Sequence, residues 1–124
     1  MDSDENHIYV SDFNNHCISH WSLMKLGDVD NVADGRGNGN DLNQLSYPRG
    51  IYAARNYLYI ADTGNDRIIR VDLNTLESII LIGMSSTSFY QYKLDRPTSI
   101  VSDRYDQILY IADRGCVLKW WSDS

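Results

Sequence analysis

Three aspartates, Asp12, Asp62 and Asp113, stand at a nearly constant interval in this chain. Spaced carboxylates can serve general acid–base chemistry or bind hard cations. Each of these closes a similar short run, IYVSD, LYIAD and LYIAD, with Tyr9, Tyr59 and Tyr110 at matching places. A residue that recurs at the chain's own period is required by every repeat. The aspartates are therefore expected to cap turns, and the tyrosines to pack one repeat against the next.

Other candidate groups fare no better as chemistry. His16, Cys17 and His20 suggest a metal site. On a strand the two histidines share a face but stand about 13 Å apart, too far to hold one ion. VDNVADGRGNGND, residues 29–41, invites a calcium-loop reading from Asp30, with Gly35 at the turn position. However, Val32 falls on a ligand position and Asp41 stands where a bidentate Glu is needed. This segment reads as a surface linker. Its glycines do not follow a buried strand and open a helix, so no phosphate cradle is expected. No serine or cysteine has a visible base partner, and no G-x-S-x-G occurs. The expectation is a chain that is not an enzyme, with no catalytic residue, no metal ligand and no cofactor.

The totals narrow the partners. The 124 residues carry a net charge of -6, and the 11 Lys and Arg are scattered singly. Nucleic-acid affinity rests on neutralising phosphates, which needs a basic patch, and an anionic membrane surface asks for the same. Neither is expected as a partner. No run of about 20 apolar residues predicts membrane insertion. The polar opening MDSDENH predicts no signal peptide, which leaves the compartment unassigned, the cytoplasm by default. Cys17 and Cys116 are too few and too distant for a disulfide framework and are read as ordinary thiols.

These groups must be positioned by the repeat. LYIAD is short, apolar and followed by breakers, which predicts a strand, and it lacks alternation, which predicts burial of both faces. DTGND reads as a turn, with Asp62 accepting the backbone amides ahead of it and Gly64 and Asn65 supplying positive φ. RIIRVDL returns as an antiparallel partner. ESIILIG follows as a third strand, and GIYAA, before LYIAD, is the innermost. Pro48 and Pro97 lie in register just outside such innermost strands, where a missing N–H removes no ladder bond. Each full unit is thus four short antiparallel strands with a period near 50 residues, the pattern of a β-propeller blade. The fold class is all-β. Blade 1 is partial over 7–28, a linker spans 29–46, blade 2 covers 47–84, a second linker 85–94, and blade 3 is partial over 95–124. The first unit lacks its innermost strand and the third its outermost.

The pattern P-x-G-I, then [IL]-Y-[IV]-[AS]-D, then N-x-R-[IV] resembles the NHL repeat, and the glycine-rich stretch 27–50 resembles that family's inter-blade segment. Arg67 fills the family's arginine position, whereas Cys17 and Cys116 stand there in the outer units. The turn before Cys116 is about two residues shorter. A closed propeller takes at least about four blades, so about two and a half form an incomplete ring. The chain is read as a piece of a longer protein or a truncated product. The alternatives are an open arc and several copies assembling into a ring. Exposed end blades would then self-associate.

The resemblance implies a module that binds another protein through one rim, where turns vary on a rigid scaffold. The rim candidates are Asn14, Asn15, Arg49, Asn65, Asp66 and Arg67. Two alternatives stand beside this: a fragment of a six-bladed lactonase-like or lyase-like enzyme, and the recognition module of a ubiquitin ligase.

Overall fold

Tyr57–Asp62, the fullest copy of the recurring stretch, is the second strand of a four-stranded antiparallel sheet. The computed structural model describes residues 7–22, 29–33, 44–54, 56–83, 92–105 and 107–121. Ten strands occur among them. The first sheet is ordered β1 (His7–Asp12), β2 (Cys17–Ser22), β3 (Val29–Ala33). The middle sheet is β4 (Ile51–Ala53), β5 (Tyr57–Asp62), β6 (Arg67–Asp72), β7 (Ser78–Ile82). The third is β8 (Ser99–Ser102), β9 (Ile108–Ala112), β10 (Val117–Trp121). All neighbours are antiparallel. Among the described residues the first sheet has no counterpart of β4 and the third none of β7. The chain is therefore all-β, built of incomplete and unclosed propeller blades.

One boundary moves. Val29–Ala33, read as the start of a linker, is the outer strand β3, paired with β2 from Ile18↔Ala33 to Trp21↔Val29. Asp30 and Asn31 are poor strand formers. The ladder offered by β2 outweighs that preference, as an edge position permits. Residues 34–43 and 84–91, most of the two expected linkers, lie outside the described residues, as do Asp34 and Asp41 of the calcium-loop reading.

The sheets stack face to face in chain order. On β5, Leu58 and Ile60 point to one side with Ile69, Val71 and Ile80, and meet Ile18, Leu45 and Tyr9. Tyr59 and Ala61 point to the other side with Ile68, Leu81 and Ile82, and meet Ile100, Leu109 and Ile111. This double covering is why LYIAD does not alternate. Each fully buried Leu or Ile here contributes about 1.5–3 kcal/mol. The repeat extends to irregularities: β-bulges fall at Ile18/Ser19 and Ile68/Ile69, fifty residues apart.

Exposure tracks whether a neighbouring sheet is present. Leu58 and Leu109 are buried, but their counterpart Ile8 is 46% exposed. Ile60 and Ile111 are buried, and Val10 is 41% exposed. On the opposite face Ile18 and Ile68 are buried and Val117 is 66% exposed. The same side chain position is core or surface according to what lies beside it.

Gly50 marks the tightest approach between blades. A Cβ there would lie 2.5 Å from Thr98 O and 2.7 Å from Ser99 Cα, both backbone atoms of the third sheet. At the matching place the third sheet carries Ser99, exposed, and among the described residues no following sheet lies against it. Gly50→Ala is therefore expected to lower unfolding free energy by about 1–3 kcal/mol, measured by urea denaturation, whereas Ser99→Ala should stay within about 0.5 kcal/mol.

Candidate functional site

The turns at one end of the blades gather the polar side chains singled out in the sequence. Asp62, fully buried, ends β5. Its Oδ1 accepts the Ser46 amide at 2.7 Å, and its Oδ2 accepts Asn65 Nδ2 at 2.9 Å and Arg67 Nε at 2.7 Å. Arg67 Nη2 in turn donates to the Gln44 carbonyl at 2.8 Å. Burial pushes the Asp62 carboxyl above its ordinary value, and the Ser46 amide, Asn65 and Arg67 pull against that. Asp62 was expected to cap the amides ahead of it; instead it ties the β5–β6 hairpin back to the segment before Pro48. The expected positive φ at Gly64 and Asn65 is also corrected. Residues 63–65 form a 3-10 turn, and the left-handed residue is Asp66, φ 53°. Gly64 is required for space, because a Cβ there would collide with Ser46.

Asp113 does cap its own turn. Its Oδ1 accepts the amides of Gly115 and Cys116, both at 3.1 Å, and its Oδ2 accepts the Asp95 amide at 3.1 Å. Desolvation works to raise this carboxyl, but the Asp95, Gly115 and Cys116 donors outweigh it and hold the group below its ordinary value. The shorter turn is as expected, with four residues between Ala112 and Val117. The Cys116 thiol donates to Asp113 Oδ1 at 3.4 Å, standing where Arg67 stands beside Asp62. That bond, together with desolvation and the carboxylate charge, pushes the thiol up from its ordinary value, the reverse of an activated nucleophile.

A joint between blades, not foreseen from sequence, completes this end. Tyr47 and Arg96 each precede a proline, and both are left-handed, φ 51° and 52°. Each turns its amide toward the previous blade. Tyr47 N donates to His16 Nδ1 at 3.0 Å, and Arg96 N donates to Asp66 Oδ1 at 2.8 Å. The acceptors are themselves left-handed residues at matching positions, His16 at φ 58° and Asp66 at φ 53°. A hydroxyl adds a second tie at each joint: Ser11 Oγ to Pro48 O at 2.9 Å, and Thr63 Oγ1 to Pro97 O at 2.5 Å. The pairs His16/Asp66 and Tyr47/Arg96 share only acceptor chemistry and geometry, so no residue pattern announced them. His16→Asp is expected to keep the joint. His16→Ala should lose about 0.5–1.5 kcal/mol, with faster hydrogen exchange at the Tyr47 amide as the specific readout.

The first joint also carries a partly exposed cluster. Arg49 Cζ lies 4.3 Å over the Phe13 ring. Phe13 and Tyr47 have centroids 4.9 Å apart, and His16 meets Tyr47 edge-on at 4.4 Å. The second joint offers Thr63, Asp66, Arg96 and Thr98 at the same four places.

The NHL repeat family matches residues 1–21, the first of the three copies. The match covers that first copy alone. Its fold is similar to the crystal structure of an auxiliary nutrient binding protein from Bacteroides thetaiotaomicron VPI-5482, with TM-score 0.66 and 19% identity over 88% of this chain. The chain spans 32% of the length of that neighbour. It is similar also to the crystal structure of the computationally designed Ika4 protein, with TM-score 0.49 and 12% identity, over 97% of this chain and 88% of that one. No curated protein matches the sequence.

The repeat explains where the rim candidates go. Arg67 is buried against Asp62 and is not a rim group. Asn65 is spent in part on Asp62, and Asp66, though exposed, on the Arg96 amide. Asn14 and Arg49 are exposed. The side chain of Asn15 lies outside the described residues. Tyr9 and Tyr59 pack between blades as expected. Tyr110 sits on the third blade's far face, opposite Lys119. His16 is a turn residue bonded to Tyr47, and His20 lies on β2; the His20 side chain lies outside the described residues. Among the described residues no three of His, Cys, Asp and Glu are placed to hold a metal ion.

Proposed function

We propose that this chain is a non-catalytic NHL-repeat module that binds another protein through the rim bearing the Phe13–His16–Tyr47–Arg49 cluster. The supporting observation is the contrast between the two blade joints. Their backbone geometry is the same, down to paired left-handed residues. The side chains on it differ: half-buried Phe13 and His16 with exposed Tyr47 and Arg49 at one joint, buried Thr63 with exposed Asp66, Arg96 and Thr98 at the other. A scaffold that keeps its bonds and changes its outward groups suits recognition. Aromatic side chains and arginine are also the residue types that anchor protein interfaces. Two of the recurring aspartates, Asp62 and Asp113, are engaged in holding turns and blades, which favours binding over catalysis. The fold neighbour is described as nutrient binding, a role for that protein that agrees with a binding module here.

Cross-linking with a photoreactive group at Asn14, followed by mass spectrometry, tests the reading. A single protein partner should be captured by the native chain and lost with Arg49→Glu. It should be retained with Leu76→Ala, at an exposed position in the β6–β7 turn at the other end of the blade. Partner capture unaffected by Arg49→Glu would refute the rim assignment. Stoichiometric metal together with esterase or lactonase turnover would refute the non-catalytic reading.

A further inference from the structure

We infer that two copies of this chain associate head to tail, the far face of the third sheet of each seated on the near face of the first sheet of the other. The exposed residues on these faces are the two halves of an interface the chain already makes twice within itself. On the third sheet, Val101, Val117 and Trp121 are 55%, 66% and 54% exposed, with Ile108 and Tyr110 half-buried beside them. Pairing places all five on one face: Val101 and Lys119 lie opposite Tyr110, and Trp121 lies opposite Ile108. Tyr110 and Val117 match Tyr59 and Ile68, which in the middle sheet pack against Ile100, Leu109 and Ile111. Ile8 and Val10 on the first sheet match Leu58 and Ile60, and Leu109 and Ile111, which receive exactly such a face at both internal junctions.

The occupant each face calls for is thus the opposite face of a blade of this same repeat, which a second copy presents. Such an interface is heterologous, so it must close into a ring or grow into a filament. The described residues form three sheets. Two copies make six, the only multiple of three within the roughly four to eight blades that close a propeller. A closed pair buries both apolar end faces of both copies. One feature sets the strength. The Asp113–Cys116 turn is shorter and supplies no counterpart of His16 or Asp66, so the contact between copies lacks the polar joint of the internal ones. Association also costs translational and rotational freedom. The pair should therefore form and dissociate with concentration.

Light scattering of the 124-residue chain over a concentration series is the test. The expected mass is twice the 14.2 kDa protomer, falling to the protomer on dilution. Trp121→Lys with Val117→Lys blocks the tail face, and Ile8→Lys with Val10→Lys blocks the head face. Either double variant alone should remain a protomer with an unchanged far-ultraviolet circular dichroism spectrum. An equal mixture of the two should recover a heterodimer through the one intact pair of faces. If a lysine variant fails to fold, the near-isosteric Val117→Thr should weaken association about tenfold. A native chain that stays a protomer at every concentration would overturn the inference. So would a dimer that survives either block, a mixture that does not associate, or growth beyond two copies.

Discussion

Asp62→Ala is expected to remove about 3–5 kcal/mol of stability, the cost of leaving one member of a buried charge pair alone. Its partner Arg67 is buried, and only the Gln44 carbonyl would then remain of the two acceptors its guanidinium is shown to use. The Ser46 amide and the Asn65 side chain would lose their acceptor at the same time. A domain of this size has about 5–15 kcal/mol in all, so this one substitution should consume a large share of it. Arg67→Ala should also destabilise, by leaving the carboxylate without its cation. The double variant should cost less than the sum of the two, because neither charge is then stranded. Urea denaturation of the four proteins completes the cycle. Additive losses would mean that Asp62 and Arg67 act separately, and that the strut from hairpin to Ser46 is not a unit.

Ile60→Ala is expected to cost about 2–5 kcal/mol, the usual range for emptying a packed aliphatic site. Val10→Ala, at the same position of the preceding repeat, should change stability by no more than about 0.5 kcal/mol. Both residues sit in the same place on the same kind of strand. Ile60 is covered by the first sheet, and Val10, 41% exposed, has no sheet on that side among the described residues. Thermal unfolding of both variants, at a concentration where the chain is a protomer, isolates blade stacking from strand propensity. Equal losses would place the stabilisation within each sheet and not between sheets. If Val10→Ala becomes costly only at high concentration, the covering sheet comes from another copy.

Much of the site was legible in part. Spacing places Cys116 at the position of Arg67, as the structure does, but sets Arg67 among the rim residues and reveals neither its pairing with Asp62 nor its burial. An arginine within a turn-like sequence reads as solvated, and its burial depends on the carbonyl of Gln44, twenty-three residues away. Asp62 and Asp113 look identical in LYIAD and share one role, each accepting an amide of the segment before the blade's proline, Ser46 N or Asp95 N. Only Asp113 also caps its own turn, because two extra residues in the Asp62 hairpin carry those amides out of reach. The His16–Tyr47 and Asp66–Arg96 joints left no trace in composition. Their requirement is one acceptor and one inward-turned amide, and many residues satisfy it.

The residues alone settled the four strands of the middle unit, their antiparallel order and the fifty-residue period, though not the outer strand Val29–Ala33 of the first unit. Those features follow from local apolar runs and breakers, and three copies showed the period twice. Only the tertiary structure decided which copies are core and which are surface. Ile8, Leu58 and Leu109 are equivalent as letters. Their burial is a property of the neighbouring sheet, and a sheet's neighbours are set by stacking across the chain, not by the strand that carries the residue.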